Sequence, residues 1–203
     1  MSLFIPPSIV CLSGPSGAGK SALAGRILET HPNAHLVPRF TTRIRSESDI
    51  PGEFRYVSRP EFAHYATNGL FLTSTMAWER ARYGTLTSHV REACERPSSI
   101  SVMILEPDAV EKLHRFVREE YGDRARVLSI FIVQNNRQIL RERLQQRGLD
   151  DAEIERQFEK EEKWFENATA RDDLFCFVRG GDAVGDLKRV EQEILNEVDY
   201  TPY

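Results

Sequence analysis

The sequence predicts an α/β fold: a doubly wound parallel sheet around a phosphate-binding loop, interrupted by one insertion and covered by a helical lid. Three observations carry this. Four short apolar runs, residues 9–12, 100–105, 127–133 and 174–178, are rich in Val, Ile, Leu or Phe, as fully buried parallel strands are. Helical patterns separate them, and strand–helix alternation builds parallel sheets with right-handed crossovers. Between the first run and the next helical stretch stands Gly14-Pro15-Ser16-Gly17-Ala18-Gly19-Lys20-Ser21, which meets every fixed position of G-x-x-x-x-G-K-[ST].

In chain order, the first run feeds this loop, and residues 22–28 (ALAGRIL) read as the helix that leaves it. The glycines let successive N–H groups turn inward around a phosphate, and the helix N-terminus adds the positive end of its dipole. Lys20 then reaches the β- and γ-phosphates of a nucleoside triphosphate, and the Ser21 hydroxyl ligates Mg²⁺. ATP and Mg²⁺ are the expected cofactors. After the second run, residues 108–121 place Val110, Leu113, Phe116 and Val117 at helical spacing behind Pro107. Residues 137–146 carry Ile139, Leu140 and Leu144 and stop at Gly148, and a last helix is expected over about 186–198.

Two regions break the alternation. Residues 39–93 are expected to form an insert with strand pieces at 54–57 and 70–74 and a helix near 60–68. Residues 145–168 are densely charged, which reads mainly as a solvated helix face; their position after a core helix, with Arg143 and Arg147 at the root, also suits a mobile lid. A single domain over 1–203 results, with a core at about 8–38, 96–144 and 169–199, the insert at about 39–93 and the lid at about 145–168.

Composition narrows the function. A net charge of −4 argues against nonspecific nucleic-acid binding, which needs a strongly basic face. Cys11, Cys94 and Cys176 are far apart, with no C-x-x-C pair, and read as free thiols in a reducing compartment. No run approaches the length of a membrane span, and no basic region precedes the short N-terminal apolar run. A cytoplasmic protein with no nucleic-acid or membrane partner is expected; its oligomeric state is not readable. The five histidines are assigned no role.

The insert opens with Arg39-Phe40-Thr41-Thr42-Arg43-Ile44-Arg45, three guanidinium groups in seven residues. Such forks pair bidentately with phosphate oxygens, so the cluster suits a phosphorylated small-molecule acceptor; a surface loop of scattered arginines is the equal alternative. Glu106, at the end of the second run, is either an acid near Mg²⁺ through water or a helix N-terminal carboxylate. Trp78 and Trp164 are platforms for a base or, more commonly, packing residues.

Taken in order, 13–21, Thr41-Thr42-Arg43, Gly52-Glu53, Val57-Ser58, Asn68-Gly69-x-Phe71-Leu72, Tyr83-Gly84-Thr85 and Arg143-Leu144-x-x-Arg147-Gly148 resemble the guanylate kinases over about 10–178. The resemblance implies a nucleotide-binding core, an acceptor-binding insert and a lid, with transfer of the γ-phosphoryl group of ATP to an acceptor phosphate. It implies that Arg43 grips that phosphate, with Arg45 near the position of a second such arginine, and that Tyr83 and Thr85 assist. Arg143 and Arg147 correspond to arginines that brace ATP and the migrating group. Lys20, Arg43, Arg143 and Arg147 are therefore the expected catalytic residues.

The departures bear on the acceptor. Where guanylate kinases carry two acids that read guanine, this chain has Thr73 and, by alignment, Ile104. Phe54 replaces a tyrosine, Arg39 a small hydroxyl residue and Gln157 a lid arginine, while Glu79 is a possible substitute acid. Losing charged hydrogen bonds worth roughly 1.5–3 kcal/mol each weakens guanine selection. The arginine ahead of the Thr-Thr-Arg segment also resembles ribose 1,5-bisphosphate phosphokinases. The expected substrate-binding residues are Arg39, Arg43, Arg45, Thr73, Tyr83 and Thr85, and the metal-site residues Ser21 and Glu106. GMP is the family default; a sugar bisphosphate is the alternative acceptor. A catalytically inactive interaction module is the third reading, disfavoured by the intact loop.

Overall fold

The structure is a computed structural model that describes residues 8–47, 49–76, 81–96, 99–134, 136–179, 188–190 and 192. Its core sheet has five parallel strands: β1 (Ile9–Ser13), β2 (Ala34–Leu36), β7 (Ile100–Ile104), β8 (Val127–Val133) and β9 (Cys176–Arg179), in the order β2-β7-β1-β8-β9. Strand β1 sits at the centre, with Val10 opposite Val102 on one side and Leu128 on the other. All four predicted runs are strands; β2 is an addition to them.

The period-2 alternation of a strand sends neighbouring residues to opposite faces, and both faces here are apolar. Ile9 and Cys11 join a cluster with Val110, Leu113 and Val117 of α4 (Pro107–Tyr121), while Val10 and Leu12 join Leu23, Ala24 and Ile27 of α1 (Lys20–Thr30). Helices thus cover the sheet on both sides, as the doubly wound prediction requires. Cys11 lies wholly within this core, and burial pushes its thiol up to about 12, so it is unreactive. Cys94 is buried as well, and Cys176 half-buried.

The insert is a second sheet, ordered β4-β3-β6-β5, from β3 (Arg39–Thr41), β4 (Phe54–Tyr56), β5 (Phe71–Met76) and β6 (Arg82–Leu86). Helices α2 (Arg59–Thr67) and α3 (Thr87–Glu95) flank it in the chain. Helix α2 starts with a Ser58/Glu61 capping box and carries Pro60 in its first turn, which explains its sharp start. One face of the sheet packs through Phe40 against Tyr65 and Phe71. The other face looks toward the phosphate-binding loop.

The lid consists of the end of α5 (Arg137–Gln146) and α6 (Asp151–Thr169), the latter started by an Asp150/Glu153 capping box. Leu140 and Leu144 of α5 pack on Ile154 and Phe158 of α6. Farther along, Trp164 Nε1 donates to Asp108 Oδ2 at 3.0 Å, fixing α6 to the start of α4; this tryptophan is a packing residue, not an exposed platform. Residues 188–190 and 192 are helical, within the predicted final helix; the rest of that helix, and Trp78 and Glu79, lie outside the described residues.

Candidate functional site

The phosphate-binding loop leaves β1 at Gly14 and enters α1 at Lys20. Gly14 has φ +133°, and a Cβ there would stand 2.5 Å from the Ile132 carbonyl oxygen of β8, so the loop can pass that close to the neighbouring strand only as glycine. Lys20 Nζ donates to the carbonyls of Gly14 (2.8 Å) and Pro15 (2.7 Å), curling back over its own loop. Desolvation there pushes the amine down to about 8, against the opposing pull of the Glu161 and Glu106 charges.

The lid closes on the loop through charged and polar groups. Arg143 Nη1 donates to the Gly17 carbonyl at 2.6 Å. The Ser16 N–H donates to Glu161 Oε1 at 2.5 Å, and Gln157 Nε2 donates both to that oxygen (2.7 Å) and to Ser16 Oγ (3.1 Å). Gln157 and Glu161 are buried in the same helical stripe as Ile154, Phe158, Trp164 and Ala168. Arg147 lies just beyond α5 and is exposed. The charged run 145–168 is mainly a solvated face, as expected, with Glu161 and the neutral Gln157 as buried exceptions that point into the loop.

Opposite stands the open face of the insert sheet, whose composition follows from strand register. Arg39 is opposite Phe54 in β4; Thr41 is opposite Tyr56 in β4 and Tyr83 in β6; Tyr83 and Thr85 are opposite Thr75 and Thr73 in β5. Two rows result, Phe54–Arg39–Thr85–Thr73 and Tyr56–Thr41–Tyr83–Thr75. Thr73 and Thr85 are buried, and the hydroxyls of Thr75 and Thr85 have no hydrogen-bond partner. Ile104, by contrast, belongs to the core beside Val10 and Leu12.

The arginines are each held. Arg39 Nη2 pairs with Glu106 Oε1 at 2.6 Å and its guanidinium lies 5.0 Å from the Tyr83 ring centroid. Arg43 pairs with Asp49, donates to the Ile44 carbonyl (3.0 Å) and lies over the Phe54 ring at 4.6 Å. Asp49 also accepts from Tyr56 Oη and from the Ser46 N–H. Burial alone would raise its pKa; the bonds from Arg43 and Tyr56 outweigh this and hold it low. Arg45 stands over the Tyr56 ring at 5.3 Å.

Insert and loop are joined by Glu53, whose Oε1 accepts from Ser21 Oγ at 3.1 Å while its Oε2 is buried without a partner. Burial raises the pKa of this carboxyl. The Glu106 carboxylate is held below its usual range: burial works against ionisation, but the Arg39 guanidinium prevails. No group of three or more His, Cys, Asp or Glu side chains able to hold a metal occurs among the described residues.

Arg39, Thr73, Tyr83 and Thr85 thus share one face, with Arg43 and Arg45 at its aromatic edge. Asp49, Tyr56 and Glu161 are participants that motif reading missed, and Glu53, quoted within a motif, was given no role there. Polar residues at 157 and 161 inside an otherwise apolar helical stripe were the readable signal for Glu161.

A P-loop closing a central parallel strand, an arginine-bearing insert sheet across from it and a helical lid define an ATP-dependent phosphotransferase of the nucleoside monophosphate kinase type. Comparison with known proteins narrows the class. The family model described as guanylate kinase matches residues 7–196. The guanylate kinase of Helicobacter hepaticus is 33% identical over 148 residues, 71% of this chain and 68% of that protein. That of Carboxydothermus hydrogenoformans is 31% identical over 196 residues, 93% and 92% of the two chains. The crystal structure of guanylate kinase from Anaplasma phagocytophilum superposes with a TM-score of 0.70 at 20% identity, covering 97% of this chain and 88% of that one. The chain belongs to the guanylate kinase family. None of the described helices is long and apolar enough to cross a membrane.

Proposed function

We propose that this protein transfers the γ-phosphoryl group of ATP to the phosphate of a nucleoside monophosphate. The observation that supports this is the meeting of the insert with the core at two points, Glu53 with Ser21 of the loop and Arg39 with Glu106 at the start of α4. Between them lie the groups such a reaction needs. The N–H groups of 16–21 and Lys20 hold the donor phosphates, and Arg143 braces the loop from the lid side through Gly17. Arg43 and Tyr83 receive the acceptor phosphate, with Arg45 at the entrance. Positioning and charge neutralisation carry such a transfer, and an already ionised acceptor phosphate needs no general base.

Mg²⁺ fits the oxygen donors on this side of the cleft. The Ser21 hydroxyl and Glu53, whose second oxygen lacks a partner, would hold it, and its charge would offset that of the phosphates. Glu106, already paired with Arg39, is the less suited of the two acids.

One observation favours a second acceptor. The face presents threonine at 73, and 104 is a core isoleucine, so neither expected guanine-reading carboxylate is there. A sugar bisphosphate needs no such acid. ADP release from Mg·ATP, measured against GMP, dGMP, AMP, CMP, UMP, dTMP and ribose 1,5-bisphosphate, separates the readings. Turnover with a nucleotide is expected. Turnover with the sugar bisphosphate alone would replace this reading by the second, and bound ATP without any turnover would leave a binding module.

A further inference from the structure

The phosphate-binding loop already holds an anion, and it comes from the chain itself. Glu161 Oε1 accepts the Ser16 N–H at 2.5 Å, one of the inward donors that such loops use on phosphate oxygens. A second donor, Gln157 Nε2, converges on the same oxygen at 2.7 Å and anchors on Ser16 Oγ at 3.1 Å. Glu161 is 7% exposed, and its Oε2 is buried with no partner. A buried, half-satisfied carboxylate is unfavourable unless its surroundings are built for negative charge. Here they are, because the Glu161 charge also acts on the Lys20 amine.

A carboxylate and a phosphoryl oxygen cannot occupy one pair of donors together. We propose that Glu161 is a resident stand-in for a nucleotide phosphoryl oxygen, displaced when ATP binds, and that Gln157 then turns its amide from the carboxylate to the nucleotide. This deepens the nucleotide-binding reading and rests on it. Gln157 becomes a neutral phosphate-binding residue of the lid, and Glu161 a competitor that keeps the empty loop ordered. The helix can carry this exchange because other side chains anchor it. Ile154 and Phe158 pack on α5, and Trp164 bonds to Asp108, so the Glu161 side chain can leave while the helix stays docked.

The test is calorimetric titration of the full chain with Mg·AMP-PNP and Mg·ADP, with melting temperatures as a fold control. Glu161→Gln keeps the shape and removes the charge; Glu161→Ala removes the competitor. Both are expected to bind AMP-PNP about tenfold or more tighter than the unaltered chain, the scale of one charge-assisted hydrogen bond. Gln157→Leu is expected to weaken AMP-PNP binding in the unaltered and the Glu161→Ala backgrounds alike. Folded Glu161 variants with unchanged or weaker affinity would overturn the competition. Tighter binding by Gln157→Leu would overturn its handover, since the residue would then serve only to hold Glu161. Absence of binding by every form, with melting intact, would instead remove the nucleotide-binding reading underneath.

Discussion

Arg39 and Glu106 form a nearly buried ion pair, 2.6 Å between Nη2 and Oε1, that ties the first strand of the insert to the start of α4. Strand β3 is only three residues long, and this pair ties it to the core, while the guanidinium lies over the Tyr83 ring of the neighbouring strand β6. The charge that Arg39 brings into the cleft is thereby matched by an acid from the core. An acceptor entering here meets a neutral pair, not a free cation.

Removing one partner leaves the other charge buried, which typically costs about 3–5 kcal/mol. Arg39→Met is therefore expected to destabilise the fold by that order in urea denaturation at neutral pH. Arg39→Met with Glu106→Leu should be closer to the unaltered protein than Arg39→Met alone. The Glu106 pKa is lowered in the folded state, so the pair's contribution is complete above the unfolded carboxyl pKa. It disappears as the pH falls through the lower folded value. The gap between Arg39→Met and the unaltered protein should narrow in that acidic window, and a pH-independent gap would contradict the ion-pair account.

Lys20 gives a prediction at the other end of the pH scale. Burial lowers its amine to about 8 in the free protein, whereas an unfolded lysine titrates near the ordinary value. Between the two, the unfolded chain holds more protons, so this group's contribution to stability rises with pH across that window. A triphosphate placed beside the amine favours its charged form. ATP binding should then take up a proton above pH about 8 and none well below it, and affinity should fall as the pH rises past that point. Titration in two buffers of different ionisation enthalpy reads the uptake directly. Lys20→Met should abolish it.

Arg43 touches several groups at once: Asp49, the Ile44 carbonyl and the Phe54 ring at 4.6 Å. A planar guanidinium can make these contacts and still offer N–H groups to a phosphate, whereas an ammonium cannot. Arg43→Lys is accordingly expected to behave much like Arg43→Ala, with the acceptor KM raised about tenfold or more and the ATP KM little changed. Retention of near-normal acceptor KM in Arg43→Lys would mean that charge alone suffices.

What the chain reveals before folding follows the strength of local signals. The strands at 9–12, 100–105 and 127–133 were legible because both their faces are buried, which makes them continuous apolar runs; 174–178 is an equally apolar run, although Phe177 in it is exposed. Strand β2 was not: Ala34, His35 and Leu36 are too few to show a period, and β2 pairs on one side only, with β7. The phosphate-binding loop was readable residue by residue because its geometry tolerates few alternatives. The partners of its residues were not, since Glu53 reaches Ser21 across 32 positions and Glu161 reaches Ser16 across 145. Charged residues in loops and charge-rich helices look alike in one dimension, and only the packing of α6 separates Glu161 from its exposed neighbours Glu159 and Glu162.

Two glycines separate steric from conformational cost. At Gly69, φ is +63° but a Cβ would meet nothing within 4 Å, so Gly69→Ala carries only the left-handed backbone penalty, about 1 kcal/mol. At Gly14 the backbone is also at positive φ, and the added carbon would lie 2.5 Å from the Ile132 carbonyl oxygen, which is bound into the central sheet and cannot swing away. Strain and overpacking of this kind each cost about 1–3 kcal/mol, so Gly14→Ala should be destabilised by several times as much as Gly69→Ala in urea denaturation. Because the displaced backbone is also the floor under the donors at 16–20, Gly14→Ala should lose nucleotide affinity as well, whereas Gly69→Ala should bind normally. Equal stability of the two variants would show that the loop can lift off β8, and that its close approach is not what holds the phosphate donors in place.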